Sequence, residues 1–234
     1  MESSFKFKRF EVSNLKSALK VGTDAVLLGS AMTLRETDRF LLDIGTGTGV
    51  IALMAAQRLE SSRPFIEAID IDGASAEEAE QNFAASPWPD SLRAVRTSLA
   101  DYAPDRSFDC IFSNPPYYDN SLRNPDEREA QARHTDSLSF AEICAFASEH
   151  LTGDGRLSLI LPAGSEKALM RTAASFGLFP FRIIRVRTTP AKPFKRLIAE
   201  FSRSRGAVSE EVLVLMDAGA RSPQYSKLTE SFYL

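Results

Sequence analysis

From residue 39 onward, short apolar runs alternate with longer stretches of helical period. The runs 39–44, 65–71, 92–97, 108–113 and 157–161 have the length and the turn-residue boundaries of strands. Between them, 50–59, 74–85, 140–151 and 166–176 repeat apolar residues at helical spacing, as at Ile143, Phe146 and Ala147. Strand–helix alternation of this kind implies right-handed crossovers and a mostly parallel sheet with helices on both faces, an α/β fold. After Gly177 the period changes. Residues 181–188 and 197–203 alternate apolar and polar, and Thr189-Pro190-Ala191-Lys192-Pro193 separates them. That pattern predicts an antiparallel hairpin, with the prolines in its connection because they cannot donate to a ladder. A third alternating run, 211–216, follows Gly206. Residues 1–38 show no strong period and read as an extension over one end of the sheet. No linker or composition break divides 1–234, so a single domain is expected.

Length and composition agree with that picture. A chain of 234 residues can bury a full core as one domain. No apolar run approaches the roughly 18 residues needed to span a bilayer, and the N-terminus lacks the apolar stretch of a signal peptide. A soluble, cytoplasmic protein is expected. Cys110 and Cys144 make neither a disulfide framework nor a metal site, and Cys110 reads as a small buried hydrophobe. The net charge of −3 is unevenly spread. Between Arg182 and Arg205 lie Arg185, Arg187, Lys192, Lys195, Arg196 and Arg203, and only Glu200 opposes them. Lys6, Lys8, Arg9, Lys16 and Lys20 enrich the other end. Such ends can form a basic surface for nucleic acid, or they can be solvated strand and loop faces.

The first strand ends at Asp43, and Gly45, Gly47 and Gly49 follow before a helix begins. Glycine lets a turn tighten and approach a ligand without a side chain in the way. The spacing G-x-G-x-G departs from the dinucleotide fingerprint, and no Lys-Ser/Thr pair follows, so a P-loop is excluded. A turn without a phosphate anchor suits S-adenosylmethionine. The plain alternative is a turn that only packs a helix on a strand. The second strand ends in Asp70, Ile71 and Asp72. An acid roughly 20 residues past the glycines can accept both ribose hydroxyl protons. Asp70 is the better candidate; Asp72 can instead cap the next helix. Asp101, after the third strand, could accept a proton from an adenine amino group.

The run 108–113 ends at Asn114-Pro115-Pro116-Tyr117. An exocyclic amino nitrogen is a poor nucleophile because its lone pair is delocalised. The Asn114 amide oxygen and the Pro115 carbonyl can each accept one of its hydrogens and draw the nitrogen toward tetrahedral geometry. Pro116 stiffens the turn, and Tyr117 offers a ring for base stacking. A strand-ending turn is the plain alternative. The polar stretch 119–137, with Arg133 and His134, could form a lid over the target base. There His134 reads as a loop hydrogen-bond donor, and Trp88, between Pro87 and Pro89, reads as structural.

Together DIGTGTG, AIDID and SNPPYY resemble class I S-adenosylmethionine-dependent methyltransferases that modify amino nitrogens. FKFKRF, KVGTDAVLLG and the C-terminal YSKLTESFYL are similar to one subgroup, the bacterial tRNA1(Val) adenine-37 N6-methyltransferases. The likeness covers nearly the whole chain and is least distinctive over 85–100. It implies a Rossmann-like class I fold with an antiparallel C-terminal hairpin. It also implies that the KVGTD segment closes over the methionine end of the cofactor, with Lys20, Gly22 and Thr23 nearest, so that residues 1–38 cover the cofactor site. Asp70 stands where relatives often carry glutamate. The substrate implied is tRNA; Pro116 is expected at the base, and Lys195 and Arg196, from their place near the hairpin turn, on phosphates, and no metal and a monomer are expected. Three alternatives stay open, the first being another adenine in RNA or DNA. A protein glutamine amide has the same geometry as the adenine amino group, although about forty residues before the glycine turn leave little room for the helical substrate domain of such enzymes. An idle scaffold that binds RNA would be expected to lose the glycines or the Asn-Pro-Pro turn, and both are intact.

Overall fold

The structure, a computed structural model, describes residues 4–17, 20–116 and 138–234. Among these, one eight-stranded sheet carries the fold. Its strands are β3 (Phe40–Ile44), β4 (Phe65–Asp70), β5 (Leu92–Arg96), β6 (Phe108–Ser113), β7 (Leu151–Pro162), β8 (Phe179–Arg187), β9 (Arg196–Ser202) and β10 (Ser209–Val214), in the order β10-β8-β9-β7-β6-β3-β4-β5. The strands β5, β4, β3, β6 and β7 run parallel, and β9 is antiparallel to both β7 and β8. The expected hairpin is therefore present, and the third alternating run joins its outer strand in parallel. Helices α2 (Val50–Arg58), α3 (Gly73–Ala84), α4 (Phe140–His150) and α5 (Glu166–Ser175) fall within a residue or so of the periodic stretches.

Three regions depart from expectation. The weakly patterned segment before residue 39 holds a small hairpin, β1 (Ser4–Lys6) with β2 (Glu11–Ser13), and the helix α1 (Thr23–Ala31). Residues 25–31 of α1 are all buried, so no polar stripe gives the helix an amphipathic period. A Cβ on Gly29 would lie 2.6 Å from Met54 Sδ, so α1 and α2 touch almost backbone to side chain. The strand expected at 157–161 begins at Leu151; Gly153, Asp154 and Gly155 conceal its first half, where the ladder with β6 slips. A short helix, α6 (Pro223–Thr229), was not evident in the sequence.

Two apolar layers sandwich the sheet, one including α1, α2 and the N-terminal hairpin, the other including α4 and α5. Cys110 and Cys144 are buried thiols within them, and Trp88 packs edge-on against Phe10. Two buried polar groups tie the α1–β3 connection to the sheet. Glu200 accepts from Thr33 N–H (2.7 Å) and from Ser158 Oγ (2.9 Å), and Arg156 pairs with Asp38 (2.5 Å). Residues distant in sequence also meet. Lys8 N–H donates to Phe232 O (2.8 Å), Lys8 Nζ to Glu230 O (2.7 Å), and the Phe7 and Tyr233 rings stack.

Gly49 ends the glycine turn with φ 81° and caps α2. A Cβ there would lie 2.5 Å from the Phe83 ring of α3. At this third glycine the plain packing reading applies: the missing side chain lets α3 close on the turn. Gly49→Ala should cost about 2–4 kcal/mol, from the left-handed backbone together with overpacking. Urea unfolding measures this. A midpoint unchanged from the parent would show that Phe83 moves aside freely.

Candidate functional site

The carboxyl ends of β3, β4 and β6 lie side by side, as ligand-binding ends do in open α/β sheets. The register pairs Ile44 with Ile69 on one side and with Ser113 on the other. Ser113 Oγ also donates to Ile44 O (2.7 Å). The first residue of the glycine turn and Asn114 thus leave the sheet as neighbours.

The turn is clamped to β4. Gly45 and Thr46 N–H both donate to Ile69 O, and Gly47 N–H donates to Asp70 Oδ2 (2.8 Å). Gly45 and Gly47 have φ of 71° and 56°, conformations that exclude most side chains. Asp70 also accepts from Asp72 N–H (2.9 Å), and burial raises its pKa above the usual carboxylate value. Asp72 is the N-cap of α3 and accepts from Ser75 N–H and Ser75 Oγ, which hold its pKa low. Asp101 is exposed and turned back on Ser98, whose hydroxyl donates to it (2.6 Å). Asp43 is fully buried. Its Oδ2 accepts from Thr46 Oγ1 (2.8 Å), and its Oδ1 has no hydrogen-bond partner. Burial pushes its pKa up to about 7.

Next to this end lies a cavity of about 500 Å³. Lys20, Gly22 and Thr23 line one wall, Asn114, Pro115 and Pro116 another, and Lys195 and Arg196 a third. It therefore gathers eight of the residues singled out from sequence, while the glycines, Asp43, Asp70 and Asp101 are not among its lining. Asp24, Arg187 and Thr188 also line it; the sequence had marked Arg187 only as one of the basic residues between Arg182 and Arg205, and had given Asp24 and Thr188 no role in a site. Tyr117, Arg133 and His134 lie outside the described residues.

The N-terminal wall is anchored from α3. Glu78 accepts from the backbone N–H groups of Leu15 (2.6 Å), Lys16 (2.9 Å) and Ser17 (2.8 Å). Burial alone would push its pKa up, but these donors outweigh burial and leave it below the ordinary value. Asn82, one turn further, accepts from Ser13 N–H and donates to both Ser13 O and Thr48 O, joining the segment to the glycine turn. Lys20 Nζ donates back to Asn14 O (2.5 Å).

Counting charge along the sequence overstated the basic surface. Arg182 pairs with Glu200 and Glu211, Arg185 with Glu166 and Glu210, and Arg196 with Asp24 (2.6 Å). Acids from other elements neutralise much of the cluster. Among the described residues no helix is long and apolar enough to cross a membrane, and no group of three or more His, Cys, Asp or Glu could hold a metal ion.

A family model described as "Methyltransferase small domain" matches residues 13–173. A tRNA1(Val) (adenine(37)-N6)-methyltransferase of Flavobacterium johnsoniae is 40% identical over 98% of this chain and 99% of its own. The protein of the same description from Bacteroides fragilis is 40% identical over 98% and 97%. Among solved structures, a predicted O-methyltransferase from Agrobacterium tumefaciens superposes with a TM-score of 0.68 at 21% identity, over 89% of this chain and 96% of that one. A methyltransferase from Pyrococcus furiosus gives 0.60 at 21% identity, over 83% and 90%. These two share the fold.

The buried Asp43 carboxyl has a consequence for pH. With a folded pKa of about 7 against an ordinary 3.8, the folded chain keeps a proton between pH 4 and 7 that the unfolded chain has lost. Stability therefore falls as pH rises through that window and stays lowered above it. Asp43→Asn should gain stability over the parent at pH 8, by up to roughly 4 kcal/mol, and the gain should vanish near pH 4. Urea titrations at both pH values test this; a difference independent of pH would refute it.

Proposed function

We infer the function from kinship: the chain belongs to the tRNA1(Val) (adenine(37)-N6)-methyltransferase family, built on the small methyltransferase domain. We propose that it methylates the exocyclic N6 of the adenine next to the anticodon of valine tRNA, using S-adenosylmethionine. The observation that carries this is the adjacency of the Asn114-Pro115-Pro116 turn, which lines the cavity, to the clamped glycine turn.

The residues present fit the cofactor. Gly45 and Gly47 form an uncharged left-handed turn beside Asp70, and no cation in the turn calls for a phosphate. In this reading Asp70 holds the ribose hydroxyls and Asp101 faces the adenine, with Asp43 and Gly49 shaping the turn. Lys20, Gly22 and Thr23 close the methionine end. S-adenosylmethionine supplies an electrophilic methyl group on a sulfonium. The Asn114 amide oxygen and the Pro115 carbonyl each accept one hydrogen of the amino group and free its lone pair. Pro116 and Tyr117 bound the base. No side-chain base is needed before transfer, because the nitrogen becomes acidic only as it is alkylated. An anticodon-loop adenine can swing out of its stack at modest cost because it is not paired in a duplex. Lys195 remains exposed for phosphate contact. The whole chain is read as one methyltransferase domain, acting as a cytoplasmic monomer.

Asn114→Ala should lower the single-turnover rate on the order of 100-fold and leave cofactor affinity near that of the parent, because the lost contact is to the nucleophile. Full activity would remove the mechanism. The substrate is tested by nucleoside mass spectrometry on valine tRNA from a deletion strain and its complement. The methyl group should be absent in the first and restored in the second; the same state in both would refute the assignment.

A further inference from the structure

We propose that Arg187 grips a backbone phosphate of the RNA at the mouth of the cavity. The proposal rests on the tRNA reading above and adds the contact that seats the target nucleotide.

Arg187 differs from its neighbours in the basic segment. Arg182, Arg185 and Arg196 each lie on carboxylates at 3.0 Å or less, and Arg203 donates to Ser148 O. The Nε of Arg187 is buried with no hydrogen-bond partner, and among the described residues its guanidinium makes no ion pair. It lies 5.5 Å from the centre of the Phe194 ring, which is 40% exposed. Its backbone is fixed, since Leu215 N–H donates to Arg187 O (3.0 Å) and Met216 N–H to Thr188 O (2.8 Å). Arg187 lines the cavity together with Lys20, Lys195 and Asn114. Asp24 is the carboxylate of that lining, and Arg196 already occupies it.

With no carboxylate paired to it among the described residues, the Arg187 guanidinium keeps its charge for an arriving anion, which the two terminal nitrogens rather than the buried Nε would meet. The planar fork matches two oxygens of one phosphate, and the aromatic face beneath it holds the fork flat. The carboxylate of the cofactor's amino-acid moiety offers the same chemistry. Phosphate is favoured because Arg187 stands at the start of the 188–195 connection, where Lys192 and Lys195 are exposed and the ring of Phe194 is open to a base.

The test uses full-length Arg187→Ala and Arg187→Lys. Arg205→Ala, an exposed arginine over Phe179 that does not line the cavity, serves as the charge control. Three quantities are read: affinity for an unmodified valine tRNA transcript at several salt concentrations, affinity for S-adenosylhomocysteine, and the single-turnover rate at saturating RNA. Arg187→Ala should weaken RNA binding about 10-fold and reduce the slope of log affinity against log salt by about one. Lysine should restore the slope but only part of the affinity. Cofactor affinity and the saturated rate should stay within about twofold, as expected when only uniform binding is lost. Arg205→Ala should leave affinity near that of the parent. Unchanged RNA affinity in Arg187→Ala, a loss in cofactor affinity instead, or an equal loss in Arg205→Ala would each overturn the proposal. A parent protein that fails to methylate the transcript would sink the functional reading itself. A methylating parent with an unimpaired Arg187→Ala would sink this contact alone.

Discussion

One buried carboxylate holds the site in shape. Glu78 gathers three consecutive backbone N–H groups, from Leu15, Lys16 and Ser17, and the hydroxyl of Ser13. Without that acceptor, the buried N–H of Ser17 would be left unpaired, at about 1–3 kcal/mol. The same helix carries Asn82, which spans from Ser13 to Thr48. The N-terminal wall of the cavity and the glycine turn therefore take their positions from one rigid element. Lys20, Gly22 and Thr23, which share a cavity with Asn114, follow a segment pinned on α3.

The second constraint is the ladder itself. Parallel pairing with no slip from Leu41 to Ile44 brings the ends of β4, β3 and β6 level. The glycine turn, Asp70 and Asn114 thus converge without any long side chain reaching across. The opposite wall comes from the antiparallel part of the sheet, where β9 lies between β7 and β8 and delivers Arg196 to Asp24. The cost of this arrangement falls on Asp43. It is sealed at the root of the turn with one oxygen unpaired, a strained electrostatic state of the kind found beside functional sites.

Much of this was legible in the sequence. Strands and helices from 39 to 203 followed their periods, and the Asn-Pro-Pro turn lies where its strand ends. What escaped detection has physical causes. Helix α1 is buried all round, so its residues carry no alternation to detect. The first half of β7 is masked by glycines at a bulge. Charge pairing was invisible because the partners are remote: Asp24 and Arg196 are 172 residues apart, and Arg182 and Arg185 find their acids on other elements. The isolation of Arg187 emerges only once those pairings are drawn. Gly49, which the motif grouped with Gly45 and Gly47, is packed against the ring of Phe83.

The meeting of Lys8 with residues 230–232 governs how the molecule is assembled in time. The partners are 222 residues apart, so the N-terminal hairpin emerges from the ribosome long before the carbonyls that receive it exist. Phe5 and Phe7 meet Tyr233 only after the intervening sheet has been synthesised, whereas Phe10 has Trp88 to pack on much earlier. Contacts of such high sequence separation form late, because the loop they close costs entropy before it returns any. The contacts of Phe5, Phe7 and Lys8 with residues 230–233 are thus among the last to form.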